Sequence, residues 1–166
     1  MSVFVAVLAA VAVQRGGELA LAEANTRRLR ACGAHEVDPG GYKWFVLLHA
    51  GWLVALAATV PPSASPVWPW LAVYAALQLG RVWVIATLGR RWTTRVIVLP
   101  GAPLMQGGPY RLLRHPNYAI VAGEIAVLPL AFGAVGVALS FSLGNLLLTV
   151  RRIMIEDQAL AQNRTA

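Results

Sequence analysis

The sequence predicts an all-α integral membrane protein of about five transmembrane helices, forming one multi-pass domain over residues 1–166. Three observations predict it. Of the 166 residues, 58% are apolar, and mean hydropathy is +0.62. Only 13% are charged, against roughly 25% in a soluble domain. The apolar residues also gather into five runs, at 3–13, 44–60, 67–86, 119–132 and 135–150, and the charges fall almost entirely between them.

The first run is the shortest, and it extends as one helix through Gln14–Ala24 that leaves the membrane at its C-terminal end. The alternative is a cleaved leader, with 20–24 (ALAEA) as the processing site, but no Lys or Arg precedes the run as such a leader requires. Residues 19–34 continue as an amphipathic helix, and the Asp38-Pro39-Gly40-Gly41 stretch breaks it. The second and third runs approach the roughly 20 residues of a spanning helix, with Pro61, Pro62 and Pro66 in the short turn between them. Residues 96–99 suit a short extended piece. Gly107-Gly108-Pro109 is a turn, and 110–114 a brief helix or loop. Pro116 opens the fourth span at an early helical position, where its missing N–H costs nothing. The fourth and fifth runs cover only about 21–24 Å at about 1.5 Å per residue, and so need flanks or tilt to cross. They form a tight hairpin through 132–136. No repeat and no low-complexity segment is present.

The charges set the orientation. Arg15, Arg27, Arg28, Arg30 and Lys43 lie between runs one and two; Arg90, Arg91, Arg95, Arg111 and Arg114 between three and four; Arg151, Arg152 and Arg164 after five. Neither the 61–66 turn nor the 133–136 turn carries one, and of the basic residues only Arg81 falls inside a run. By the positive-inside rule the N-terminus is outside, and the C-terminus and all three polar segments are cytoplasmic. A net charge of +7 on a soluble chain would point to nucleic acid. Here the excess obeys membrane topology, so the expected partner is the lipid bilayer, not nucleic acid. Cys32 is the single cysteine, which leaves no intramolecular disulfide and no cysteine-ligated metal site; no metal is expected.

Two polar stretches carry the chemistry: GGPYRLLRHPNY at 107–118 and RRIMIEDQAL at 151–160. Ionisable groups at membrane depth cost several kcal/mol, and a ligand is the simplest reason to keep them there. His115 and Tyr118, three residues apart at a helix start, share a face. That start offers free N–H groups and a positive dipole end, suited to a carboxylate. Glu156 and Asp157 follow the fifth span. Because spans four and five are antiparallel neighbours, these groups meet where membrane meets water, and a zwitterionic ligand suits them. Each has a plainer reading. Arg114 and His115 could anchor to headgroups, Tyr110 and Tyr118 belong to an aromatic belt, and Glu156-Asp157 pair with Arg151-Arg152 along a helix. Their joint occurrence favours a site. Glu124, inside span four, is a functional candidate by position, or else a structural partner of Gln78, Arg81 or Asn145. His49 reads as a packed interhelical histidine. No dinucleotide or P-loop fingerprint is present.

These two stretches resemble the isoprenylcysteine carboxyl methyltransferase family of integral membrane enzymes, which carry a G-P-Y-x-x-x-R-H-P-x-Y element and a later R-I-x-x-E-E-x-x-L element. The resemblance covers 88–160. The upstream part, with LLHAGWL at 47–53, is similar to a short bacterial branch that methylates lipophilic pyrone or phenol products, often beside type III polyketide synthases. The resemblance implies S-adenosyl-L-methionine as cofactor, S-adenosyl-L-homocysteine as product, and a bacterial inner membrane location. It places Gly108, Tyr110, His115, Pro116 and Tyr118 on one side of the cofactor, and Glu156 and Asp157 on the other. Ile120 stands where the family has Gly, Asp157 where it has a second Glu, and no aromatic pair follows Leu160. The first and third departures bear on the acceptor rather than the cofactor.

The expected reaction is methyl transfer to an oxygen of a lipophilic acceptor, an isoprenylcysteine or an alkylpyrone-like compound. A carboxylate acceptor needs positioning alone, worth about 7–11 kcal/mol, while a phenol or enol also gains from a base, His115 or Glu156. Arg114 or Arg152 orients the acceptor, and Gly123 and Glu124 line its path from the bilayer. Two alternatives stand. Sterol-type reductases using NADPH also carry R-H-P-N-Y, although here Gly123-Glu124 falls four residues later than in their pattern. A non-catalytic membrane scaffold would bind no cofactor.

Overall fold

The computed structural model describes residues 2–165, with side-chain environments through Ala161; the Arg164 side chain lies outside the described residues. Five helices carry the fold: α1 (Val3–Ala31), α2 (Pro39–Thr59), α3 (Trp68–Leu88), α4 (Pro116–Ala131) and α5 (Val135–Thr165). Four are long and apolar enough to cross a membrane, and α4 is a shorter apolar helix. The 16 residues of α4 span about 24 Å, less than the roughly 30 Å hydrocarbon core. It is also inward-facing over much of its length, with Glu124, Ile125, Val127, Leu128, Pro129 and Ala131 all buried.

α1 is one unbroken helix through the ALAEA stretch. Ser2 caps it by accepting from the Val5 N–H at 3.3 Å, and it ends at Ala31 with Cys32 as its C-cap, three residues short of the amphipathic helix expected. The chain then turns at Gly33 (φ +89°) into a two-residue strand, β1 (His35–Glu36), paired antiparallel with β2 (Ile97–Val98). The extended piece expected at 96–99 is therefore real. Its partner could not be read from sequence, because strand pairing over such a separation leaves no local pattern. The Asp38-Pro39-Gly40-Gly41 stretch starts a helix as well as breaking one. Asp38 accepts from the Gly41 N–H at 3.2 Å, Pro39 fills the first helical position, and α2 begins five residues before the apolar run does.

The two ends of the bundle are distinct. At one, Phe4 meets Phe132 edge-on at 5.0 Å, and the Val67 N–H donates to Ala131 O at 2.8 Å. The α2–α3 turn and the α4–α5 turn thus lie together beside the start of α1. At the other end, Asn25 donates to Trp92 O at 2.8 Å, Arg95 reaches Glu36 at 3.1 Å, and Arg151 reaches Asp38 at 2.6 Å. The arginine-rich connections share this second end, as the alternation of charge requires.

Apolar contact gives helices no net drive to associate inside lipid, so close packing and polar contacts must hold them. Small residues supply the first. A Cβ on Gly123 would stand 3.0 Å from Leu77, and one on Gly144 3.0 Å from Leu48, so the α3–α4 and α2–α5 crossings are set by glycine. An ion cluster supplies the second. Glu124 is 1% exposed and paired with Arg81 on α3, itself 3% exposed. Arg15 on α1 joins at 2.7 Å, Gln78 donates at 2.7 Å, and Glu18 bridges Arg15 and Arg81 at 2.7 and 3.1 Å. Two arginines and two glutamates cancel, which is what a low-dielectric site demands. Arg15 thus turns inward to Glu124, beyond the orienting charge that its place between two apolar runs implies.

Candidate active site at the meeting of two helix ends

His115 is the N-cap residue of α4, Pro116 is buried at its first turn, and no side chain caps the helix. Pro116 fixes the backbone there and removes one unsatisfied donor; the remaining first-turn N–H groups are uncapped, at the positive end of the helix dipole. α5 returns antiparallel and brings its last turns alongside. Tyr118 donates to Glu156 Oε2 at 2.5 Å, and His115 Nε2 donates to Asp157 Oδ1 at 3.2 Å. The His115 and Tyr118 rings stack at 5.5 Å.

Arg152 ties the group to the rest of the fold. Its Nε donates to Tyr118 Oη at 3.0 Å, one Nη donates to Thr94 O at 2.7 Å, and its guanidinium lies 4.9 Å from the Phe45 ring of α2. At 8% exposure, and held from three directions, this is a fixed cation. Arg114 is its opposite: 71% exposed and paired with Asp157 at 2.9 Å.

A cavity of about 880 Å³ opens beside these residues, within the range of small-molecule sites. Tyr110, His115, Asn117, Tyr118, Arg152 and Glu156 line one end; Arg15, Glu18, His49 and Arg81 line the other, with Ala12, Ala50, Leu53 and Val121 as apolar wall. Burial, with the Glu156 charge beside it, pushes the Tyr110 hydroxyl up to about 12, so at neutral pH it is a donor and not a base. Asn117 Oδ1 and Trp92 Nε1 are buried on this wall with no protein partner among the described residues. A buried acceptor and donor left in that state carry a desolvation penalty that a polar ligand would relieve.

The residues expected at the site divide into two sets. Tyr110, Arg114, His115, Tyr118, Arg152, Glu156 and Asp157 come together on the cavity. Gly108, Pro116, Gly123 and Glu124 stand behind it. Gly108 has φ +54° and backs onto Thr87 in the turn that presents Tyr110. Gly123 packs on Leu77, and Glu124 is enclosed by the ion cluster. Phe45, His49, Thr94 and Arg15 also line the cavity, and none is expected there from sequence. The α2 members had a legible signal, since Tyr42, Phe45, Val46, His49 and Leu53 recur at helical spacing on one face, and all line the cavity. Thr94 contributes a backbone carbonyl, for which no side-chain signal exists.

No solved structure matches the chain. It is similar to the uncharacterized protein YpbQ of Bacillus subtilis (strain 168), 35% identical over 159 residues, covering 93% of this chain and 95% of that protein. Residues 70–162 match the isoprenylcysteine carboxyl methyltransferase (ICMT) family, and that segment holds α4, the Arg152 pair and both carboxylates. The chain belongs to the isoprenylcysteine carboxyl methyltransferase family, a family of membrane methyltransferases.

Proposed function

We propose that the protein is an S-adenosyl-L-methionine-dependent O-methyltransferase acting on a lipophilic acceptor that reaches the site from the bilayer. One observation carries the reading: the α4 start and the C-terminal part of α5 converge, through the Tyr118–Glu156 and His115–Asp157 contacts, on a cavity walled by apolar helices. The donor set suits the cofactor. The uncapped α4 start accepts a carboxylate, Glu156 and Asp157 accept an ammonium or ribose hydroxyls, and Asn117 Oδ1 is a buried acceptor in need of a donor. Bound there, the cofactor supplies an electrophilic methyl group on a sulfonium.

The chain's own residues do the rest. Arg152 is immobilised with part of its donor fork uncommitted, and it orients an acceptor oxygen. Arg114, on the exposed rim, closes the carboxylate end by holding Asp157. The apolar wall excludes water. Gly123 and Glu124 shape that wall from behind, by setting how closely α4 approaches α3. The orientation follows the charges, with the N-terminus outside and the site cytoplasmic in a bacterial inner membrane.

Calorimetric titration of the purified protein tests the reading. S-adenosyl-L-homocysteine should bind and NADPH should not. NADPH binding alone would make it a reductase, and no binding of either would make it a scaffold. The acceptor half has its own test. Each buried methylene contributes about 0.8 kcal/mol, so kcat/KM should climb with acceptor tail length until the cavity is filled. Equal methylation of a tail-less, water-soluble head would refute entry from the bilayer.

A further inference from the structure

The inner end of the cavity is not apolar, as a pocket for a hydrocarbon tail alone would be. His49, Arg15, Glu18 and Arg81 all line it. Most of their hydrogen-bonding capacity is committed. Glu18 accepts from Gln14, Arg15 and Arg81, and both arginines are turned toward carboxylates. His49 is different. Its Nδ1 lies 2.8 Å from Phe45 O, one turn earlier on α2. A carbonyl oxygen can only accept, so Nδ1 carries the hydrogen, and in the neutral ring Nε2 keeps a lone pair. Among the described residues no contact engages that nitrogen. His49 also sits in the middle of the α2 face that lines the cavity, between Phe45 and Leu53.

The other groups that could take a proton each hold a partner already, and the two at the cavity, His115 and Glu156, stand at the α4–α5 end that the proposed reading gives to the cofactor, not on the inner wall. His115 Nε2 is held by Asp157, Glu156 accepts from Tyr118, and Glu124 is enclosed by Arg81, Arg15 and Gln78. Position agrees. The Arg152 guanidinium lies over Phe45 at 4.9 Å, and His49 is one helical turn, about 5.4 Å, deeper along the same wall.

We infer that His49 is the general base of this enzyme, taking the proton from a hydroxyl-type acceptor, a phenol or enol, as Arg152 steadies the acceptor oxygen. The inference rests on the proposed methyltransferase reading. His49 Nε2 accepts the hydroxyl proton while the oxygen forms its bond to the transferred methyl carbon. The methyl–sulfur bond breaks, its electron pair stays on sulfur, and the imidazolium then gives its proton to water. The fixed Nδ1–H···O bond to Phe45 aims the ring throughout, as an orienting partner does in base catalysis generally.

The test uses full-length protein in detergent, saturated with S-adenosyl-L-homocysteine, and an alkyl-substituted 4-nitrophenol as acceptor probe. At a pH where the free probe is neutral, the wild-type protein should bind it as the coloured phenolate. His49→Gln should bind S-adenosyl-L-homocysteine within about twofold of wild type yet leave the probe neutral. With a phenol acceptor, kcat should fall by about 10²–10⁴-fold, and His49→Ala should regain turnover on added imidazole. A wild-type protein that leaves the probe neutral, or a His49→Gln variant that ionises it equally, overturns the assignment while leaving the methyltransferase reading intact. Failure of the wild type to bind S-adenosyl-L-homocysteine overturns both. Nitrogen NMR of labelled histidine gives a check independent of any variant: a neutral ring protonated on Nδ1 is expected, and protonation on Nε2 alone contradicts it.

Discussion

The molecule carries two clusters of charge, one at the middle of the bundle and one at its end, and they are built to opposite specifications. In the middle, Arg15, Glu18, Arg81 and Glu124 draw on α1, α3 and α4, balance each other's charge, and enclose Glu124 completely. At the end, Tyr118, Arg152, Glu156, His115 and Asp157 come from α4 and α5 alone, and line the opposite end of the cavity from Arg15, Glu18 and Arg81. The first turns its charges on one another, so it holds helices where lipid gives them no reason to associate. The second leaves donors and acceptors open, so it can hold a ligand. An ionisable group at membrane depth is a functional candidate by default; how completely its partners enclose it decides between the two roles.

The largest effect should come from breaking the central cluster. Arg81→Met leaves Glu124 buried with Arg15 as its remaining cation, and loss of one member of a buried pair costs about 3–5 kcal/mol. Thermal unfolding in detergent should show this as a large fall in Tm. An unchanged Tm would mean that the cluster does not hold α1, α3 and α4 together.

Next in size is Tyr118→Phe, which deletes the hydroxyl shared by Glu156 and Arg152. Hydrogen bonds to charged groups contribute about 1.5–3 kcal/mol, so affinity for S-adenosyl-L-homocysteine should fall about tenfold or more while Tm moves far less than in Arg81→Met. A Tm drop as large as that of Arg81→Met would erase the contrast between the clusters.

The membrane depths of the clusters can be checked by labelling. In a Cys32→Ser background, single cysteines at Ser63 and Gly133 should react from outside and one at Gln106 from the cytoplasm. Reaction of all three from one side would break the five-crossing arrangement. The smallest effect belongs to Asp38 and Arg151, which pin the start of α2 to α5 at the site end. The Arg151 guanidinium holds the Asp38 carboxyl below the ordinary aspartate value. A lowered carboxylate pKa stabilises the fold at neutral pH, and that contribution disappears as pH falls through about 4 and below. The Tm difference between wild type and Asp38→Asn should therefore be small and positive at pH 7 and close toward zero on acidification. A difference that grows on acidification would contradict the pairing.

Much of this was legible in the chain. The helices followed from the apolar runs, and the helix-end cluster from two polar stretches on antiparallel neighbours. Helix hairpins bring sequence-adjacent ends together, so His115 and Glu156 were bound to meet. The central cluster was half legible. Glu124, Gln78 and Arg81 stand out inside apolar runs, but Arg15 lies past one, among the charges that set the orientation, and no local pattern shows that it turns inward to Glu124. His49 reads from the sequence as a packing residue. Only the position of α2 across the cavity from α4, which no local pattern encodes, puts it on the wall.

The division of labour between the clusters has one direct test. S-adenosyl-L-homocysteine affinity is measured by calorimetry for His115→Ala, Glu156→Ala and Gln78→Ala, all at a temperature where each is folded. The first two should each bind about tenfold or more weakly. Gln78→Ala, which loses a contact to Glu124 in the central cluster, should bind within twofold of wild type. Unchanged affinity in His115→Ala and Glu156→Ala, or a loss confined to Gln78→Ala, would contradict the assignment of the cofactor site to the helix ends.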